Sequence, residues 1–180
     1  FNHHLHTEPG LLELCERQLQ ALASSGAQIS NCSLNFNMDS LWDSWLTLRH
    51  WFLAHSPNQL FKNPKTRVQL KPEVQWELTQ AESISTESLA LACDTRANWY
   101  QTLTAAFEQY DVLALPTAQV FPFDIEQHWP AEIDGHSMDT YHRWMEVTIG
   151  GTLAGCPVVS LPAGFDSQNR PMGIQFIAPI

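Results

Sequence analysis

Three lysines, eight histidines, four cysteines and a scatter of serines are the side chains here that could do chemistry. A lysine activates a serine only when desolvation keeps its amine neutral and the hydroxyl lies within reach. Lys62, Lys65 and Lys71 all fall in the polar stretch between Pro57 and Pro72, beside Arg67, where water holds them protonated. None has a serine three positions before it, so Ser-x-x-Lys is absent. That basic stretch reads as a solvated loop, with a flap over a site as the sharper reading. Ser24-Ser25-Gly26 closes an amphipathic helix and reads as a helix terminus rather than an oxyanion-binding turn. Gly-x-Ser-x-Gly is also missing, and Ser160 stands in Val158-Val-Ser-Leu-Pro162, a strand end rather than a nucleophile elbow. No catalytic residue is therefore assigned within the chain.

The histidines give no metal centre. His3, His4 and His6 could grip an ion, but at a chain end they read as disordered. His128, His136 and His142 follow no ligand spacing, which leaves structural or solvated roles. Cys15, Cys32, Cys93 and Cys156 are widely spread with no Cys-x-x-Cys, describing neither a disulfide scaffold nor a zinc site. A reducing cytoplasm is the simplest compartment for them, and no cofactor or metal is expected. A net charge of −10 argues against nucleic acid and anionic membrane surfaces as partners. No apolar run approaches the roughly 20 residues that span a bilayer, and no charged segment followed by an apolar run marks a secretory signal.

Around these residues the sequence sets out its elements. Leu12, Cys15, Leu19 and Leu22 have helical spacing after Thr7 as cap and Pro9 in the first turn, with Gly26 as the C′ residue. Ala27 to Leu34 reads as a strand. Asp39 caps a helix crowded with Leu41, Trp42, Trp45, Leu46, Leu48, Phe52 and Leu53, which Ser56-Pro57-Asn58 ends. Pro72 opens a short helix, and Ser85 caps a long one reaching Tyr110. Val112 to Leu115, Val158 to Leu161 and Met172 to Ile177 are apolar runs stopped by proline or glycine, as strands are. Their lack of alternation predicts neighbouring strands covered on both faces. Residues 117–137 form a proline- and aromatic-rich loop, long enough to line a site. Asp139 caps a helix through Ile149 that ends at Gly150-Gly151. Strands separated by helices indicate an α/β fold, and 44% hydrophobic residues with seven Trp can fill its core.

The ordered set Asp111-Val-Leu-Ala-Leu-Pro-Thr117, Thr148-Ile-Gly-Gly-Thr-Leu-Ala-Gly-Cys-Pro157, Val-Val-Ser-Leu-Pro-Ala-Gly164 and Arg170-Pro-Met-Gly-Ile-Gln-Phe176 resembles the C-terminal part of the amidase signature family. Those are serine hydrolases with a Ser-Ser-Lys triad. The upstream helix-Gly26-Ala27 unit, Lys71-Pro-Glu-Val74 and the helix carrying Arg96 and Tyr100 extend the likeness over nearly the whole chain. The resemblance implies a mixed β-sheet covered by helices, and residues 1–180 as the C-terminal portion of one amidase domain whose triad lies upstream. A start at Phe1 without Met and an end directly after a strand agree with a piece of a longer protein.

Carried over by position, Thr148 matches the family's threonine ahead of the Gly155-Cys156-Pro157 turn. Thr152 replaces the usual asparagine, leaving a hydroxyl for part of its hydrogen bonding. Met145 stands where glutamine-using members carry an aspartate, and a thioether cannot pair with a substrate ammonium. A role within a glutamine amidotransferase is therefore disfavoured. Met145, Thr148 and Gly151, spaced by threes, can share a helical face toward a pocket or toward ordinary core. Met145, Thr148, Gly151 and Thr152 are the expected substrate-binding residues. The function implied is hydrolysis of a carboxylic amide through an acyl-enzyme; the alternative is a stand-alone binding or scaffold module without catalysis. Expected partners are a small amide, the remainder of the polypeptide, and a second copy of the chain.

Overall fold

A computed structural model describes residues 4–55 and 63–180. His3, Lys62 and the Ser56-Pro57-Asn58 helix stop lie outside the described residues. The chain divides into two compact units: residues up to Phe36 together with Tyr100–Ile180, and Asn37–Trp99 between them.

The first unit is built on a sheet. Its strands are β1 (Leu113–Pro116), β4 (Val158–Phe165) and β5 (Pro171–Ile177), in the order β1-β5-β4. The three apolar runs are thus neighbours, as their pattern predicted. Of the mixed sheet expected, the described residues supply an antiparallel part: Leu113 pairs with Ile177, which in turn pairs with Val158. Opposed residues share a face. One face meets helix α1 (Leu11–Ser24), whose Leu11, Leu14 and Cys15 bury against Phe121, Ala163, Met172 and Ile174. Each such buried aliphatic side chain contributes about 1.5–3 kcal/mol of transfer free energy. Central strand β5 is well buried, but β4 is not covered on both faces: Val158, Val159, Leu161 and Phe165 are 45–63% exposed. Its run of apolar residues lacks alternation without being enclosed by the described chain.

Local differences from the sequence reading have local causes. The first helix starts at Leu11 behind Gly10, whose φ of 86° turns the chain into it, so Thr7 is not the cap. It closes as predicted: Gly26, at φ 104°, donates to Ala23 O, and Ala27 N reaches Leu22 O at 3.2 Å. Ala27 to Leu34 is not a strand: its β-type alternation finds no pairing strand among the described residues. Between β1 and β4, Glu132–Ile133 (β2) and His136–Ser137 (β3) pair as a minimal hairpin. Its turn is Asp134-Gly135, both with positive φ, as a type I′ turn requires. Arg143–Thr148 is a 3-10 turn kinked at Met145 (φ −117°, ψ 16°), followed by helix α6, Ile149–Ala154. This helix runs through Gly150-Gly151 instead of ending there, and stops at left-handed Gly155.

The second unit is helical: α2 (Met38–His55), α3 (Pro64–Arg67), α4 (Pro72–Ala81) and the first part of α5 (Thr86–Ala106). Asn37, not Asp39, caps α2, its Oδ1 accepting from Ser40 N at 3.0 Å. Ser85 caps α5 as predicted, exchanging backbone-to-hydroxyl bonds of 3.0 Å with Ser88. Arg49 of α2 pairs with buried Glu77 of α4 and lies over Trp45, while Ser44 Oγ donates to Ala92 O at 2.8 Å. Among the described residues no helix is long and apolar enough to cross a membrane.

Candidate functional site

A groove of about 530 Å³ opens in the sheet unit where β1 gives way to the 117–123 loop. Phe121, Phe123, Trp144, Leu161 and Met172 form its apolar wall, and none of the residues lining it carries a charge. Its polar feature is a hydroxyl pair. Thr117 extends the ladder by donating its N–H to Gly173 O at 3.0 Å. That register sets its Oγ1 at 2.9 Å from Ser160 Oγ on β4. Gly173 lies between them: a Cβ there would come 2.6 Å from Thr117 Oγ1 and 3.1 Å from Ser160 Oγ. Among the described residues the Ser160 hydroxyl meets another hydroxyl and no histidine or lysine, so nothing here makes it a nucleophile.

Buried side-chain hydrogen bonds hold the wall in place. Gln119, 1% exposed, donates from Nε2 to His6 O and accepts at Oε1 from Val147 N at 3.1 Å. Gln175 donates from its own Nε2 to Pro116 O at 2.8 Å and to Val147 O at 3.2 Å. Together they pin the 117–121 loop, the end of β1 and the 3-10 turn to one another. Glu8 accepts from Phe121 N (2.9 Å) and from Arg170 Nη2 (2.7 Å), while Arg170 Nε donates to Asp166 Oδ2 (2.7 Å). The guanidinium also lies 4.8 Å from the centre of the Phe121 ring. Backbone and side-chain bonds to Arg170 outweigh desolvation and hold Asp166 below the usual carboxylate range.

A second charged group sits at the 3-10 turn. Arg143 reaches Asp139 Oδ2 at 2.8 Å and Glu146 Oε2 at 2.9 Å. Its hydrogen bond lowers the Asp139 pKa. Burial pushes the Glu146 carboxyl up, since desolvation there exceeds what Arg143 returns. His4 approaches Glu146 at 3.5 Å, and His6 stacks on His136 with ring centres 3.5 Å apart. The described members of the N-terminal histidine group are thus held in contacts, where the sequence predicted disorder. Among the described residues no group of three metal-ligating side chains converges. Burial raises the thiol pKa of Cys15, to about 11, and also those of Cys32 and Cys156, so none of these is an activated thiolate.

The expected substrate-binding residues do not line this groove. Met145 occupies the kink, so the threefold spacing with Thr148 and Gly151 does not run along one regular helix. Thr148 Oγ1 donates to Met145 O at 2.9 Å, and Thr152 Oγ1 to Thr148 O at 3.1 Å, leaving each hydroxyl only acceptor capacity. Gly151 faces the sheet: a Cβ on it would lie 2.7 Å from Val158 Cγ2 and 3.4 Å from Ile177 Cδ1. The glycine therefore permits close helix-to-strand approach at this point. Thr117 and Gly173 are not assigned from the sequence and Ser160 reads there only as a strand end; the length of the 117–137 loop points toward Thr117 alone.

The family model for amidases matches residues 2–180, and the chain belongs to the amidase signature family. It is similar to an acylamidase of Rhodococcus erythropolis, 26% identical over 179 residues, covering 96% of this chain and 36% of that protein. It is also similar to a glutamyl-tRNA(Gln) amidotransferase component of Synechococcus sp. (strain RCC307), 40% identical over 82 residues, or 44% of this chain and 15% of that one. Among solved structures, a bacterial aryl acylamidase of the amidase signature family superposes with a TM-score of 0.84 at 18% identity, over 97% of this chain and 38% of that one. That likeness confirms the α/β fold. The chain spans little more than a third of the length of the acylamidase.

Proposed function

We propose that this chain is the C-terminal portion of an amidase domain that hydrolyses carboxylic amides through an acyl-enzyme. The family match over residues 2–180 carries the reading. The Ser-Ser-Lys triad and oxyanion donors belong to the part of the family's domain that this chain does not span. The chain supplies sheet and pocket wall, with Met145, Thr148 and Thr152 on the substrate side of the 3-10 turn and α6, and Gly151 letting α6 close on β4 and β5 behind them. Four free cysteines fit a reducing, cytoplasmic setting. Exposed Val158, Val159 and Phe165 of β4 support burial against the rest of the polypeptide or a second copy.

The test is turnover by the full-length protein. It should release aniline from acetanilide and ammonia from benzamide, and hydroxylamine should divert the acyl group to a hydroxamate. Absence of turnover on a panel of aliphatic and aryl amides, from folded protein, would favour the non-catalytic module. The isolated 180-residue chain should be inactive; turnover lost on mutating one of its own serines would overturn the assignment of the triad elsewhere.

A further inference from the structure

We propose that the groove beside β1, β4 and β5 is a subsite for a neutral carbonyl compound with an aromatic or branched apolar group. The Thr117–Ser160 hydroxyl pair donates to the carbonyl oxygen. Two hydroxyls 2.9 Å apart carry two protons. One lies between them, and the other remains free to donate. Both side chains line the groove, and among the described residues neither hydroxyl hydrogen-bonds to a third group. The apolar surface presented to a ligand includes Phe123, Trp144, Leu161, Pro122 and Pro162, backed by buried Phe121 and Met172. The space measures about 530 Å³ and is open to solvent along Ser160, Leu161 and Pro162.

Among the described residues the lining carries no charge, which favours a neutral ligand. The lining offers a carboxylate or ammonium no counter-charge, whereas a neutral carbonyl gains one hydrogen bond from the hydroxyl pair. Gly173 keeps the approach open, since any side chain there would displace the hydroxyl pair. The wall is also preformed: Phe121 is fixed from behind by Glu8 and Arg170, so binding does not have to order it. The inference rests on the amidase reading only in taking this ligand to be the acyl or aryl part of a substrate amide. Binding and turnover are therefore read separately.

Acetophenone is the probe, because it presents a carbonyl on a ring and has no C–N bond to cleave; ethylbenzene is the same shape without the acceptor. With the full-length protein, calorimetry should show acetophenone binding more tightly than ethylbenzene, and benzoate and benzylamine at least about tenfold more weakly than acetophenone. Thr117→Val with Ser160→Ala should weaken acetophenone about tenfold and leave ethylbenzene within about twofold. Ser160→Ala alone, at an exposed position, should give a smaller loss in the same direction. Unchanged acetophenone affinity in folded variants, equal binding of benzoate, or no saturable binding would overturn the proposal. The last outcome would mean that another part of the polypeptide fills the groove. Protein that binds acetophenone in this hydroxyl-dependent way yet cleaves no amide would sink the amidase reading and leave the subsite standing. Amide turnover that acetophenone does not inhibit would do the reverse.

Discussion

At the scale of single residues, Gly151 is where packing and pocket make opposite demands. Its hydrogen faces Val158 Cγ2 and Ile177 across a gap that a methyl group would close to 2.7 Å. Gly151→Ala should therefore lower stability by about 1–3 kcal/mol, as overpacking does, and Gly151→Leu should prevent folding of the sheet unit. Thermal denaturation reads this directly. A rise in KM for bulky amides with unchanged Tm would instead place Gly151 on the substrate side. Acid sensitivity is set at other residues. Asp139 has a folded pKa below its ordinary 3.8, chiefly through the Arg143 hydrogen bond. The unfolded chain binds that proton more readily, so the stabilisation is complete above about pH 4 and is lost as pH falls through the lower folded value. Asp139→Asn should shrink the drop in Tm between about pH 5 and pH 3, as followed by circular dichroism. An unchanged acid limb would show that the Arg143 pair contributes nothing measurable.

At the scale of elements, the N-terminal segment is held by stacking and by Glu8. His6 is kept below its ordinary pKa of 6.5 by burial and by the neighbouring His136 and His4. The folded state thus prefers neutral His6, and stability falls as pH drops below about 6.5. Amide exchange at Glu8 and Phe121 should accelerate between about pH 7 and 5.5, after correction for intrinsic rates, and His6→Asn should remove that acceleration. The end of α6 offers a backbone test: Gly155 sits at φ 73°, so Gly155→Ala should cost about 1–2 kcal/mol in thermal stability. These elements differ in how far the sequence revealed them. Strands β1, β4 and β5 and the caps at Ser85 and Gly26 were legible because proline, glycine and hydroxyl residues act locally. The Ala27 to Leu34 segment misled, since alternation records a preference and pairing needs a partner. The Thr117–Ser160 pair was invisible, because only strand register brings residues 43 positions apart together. Gln175 did leave a trace, as the one amide in an apolar strand.

At the scale of the whole molecule, the family was readable from ordered motifs, while the groove depended on register between distant segments. The exposure of Val158, Val159 and Phe165 on β4 gives a testable property of the 180-residue chain by itself. It should bind a hydrophobic dye and associate in sedimentation, and Val159→Lys should reduce both. A dye-free monomer would argue for a self-sufficient module. The Glu8–Arg170 ion pair has a further consequence, for the order of assembly. It joins residues 162 positions apart, and the sheet it braces has a middle strand, β5, that is made after β1 and β4, its two neighbours. On the ribosome, Asn37–Trp99 has its whole sequence available long before β5 emerges, whereas the sheet unit must wait with α1 and β1 unpaired. Loop-closure entropy and high contact order then make the sheet the slow step. During that wait Leu11, Leu14 and Cys15 lack Ala163, Met172 and Ile174, the strand residues that complete their cluster, and this is the interval in which a chaperone would matter to the newly made chain.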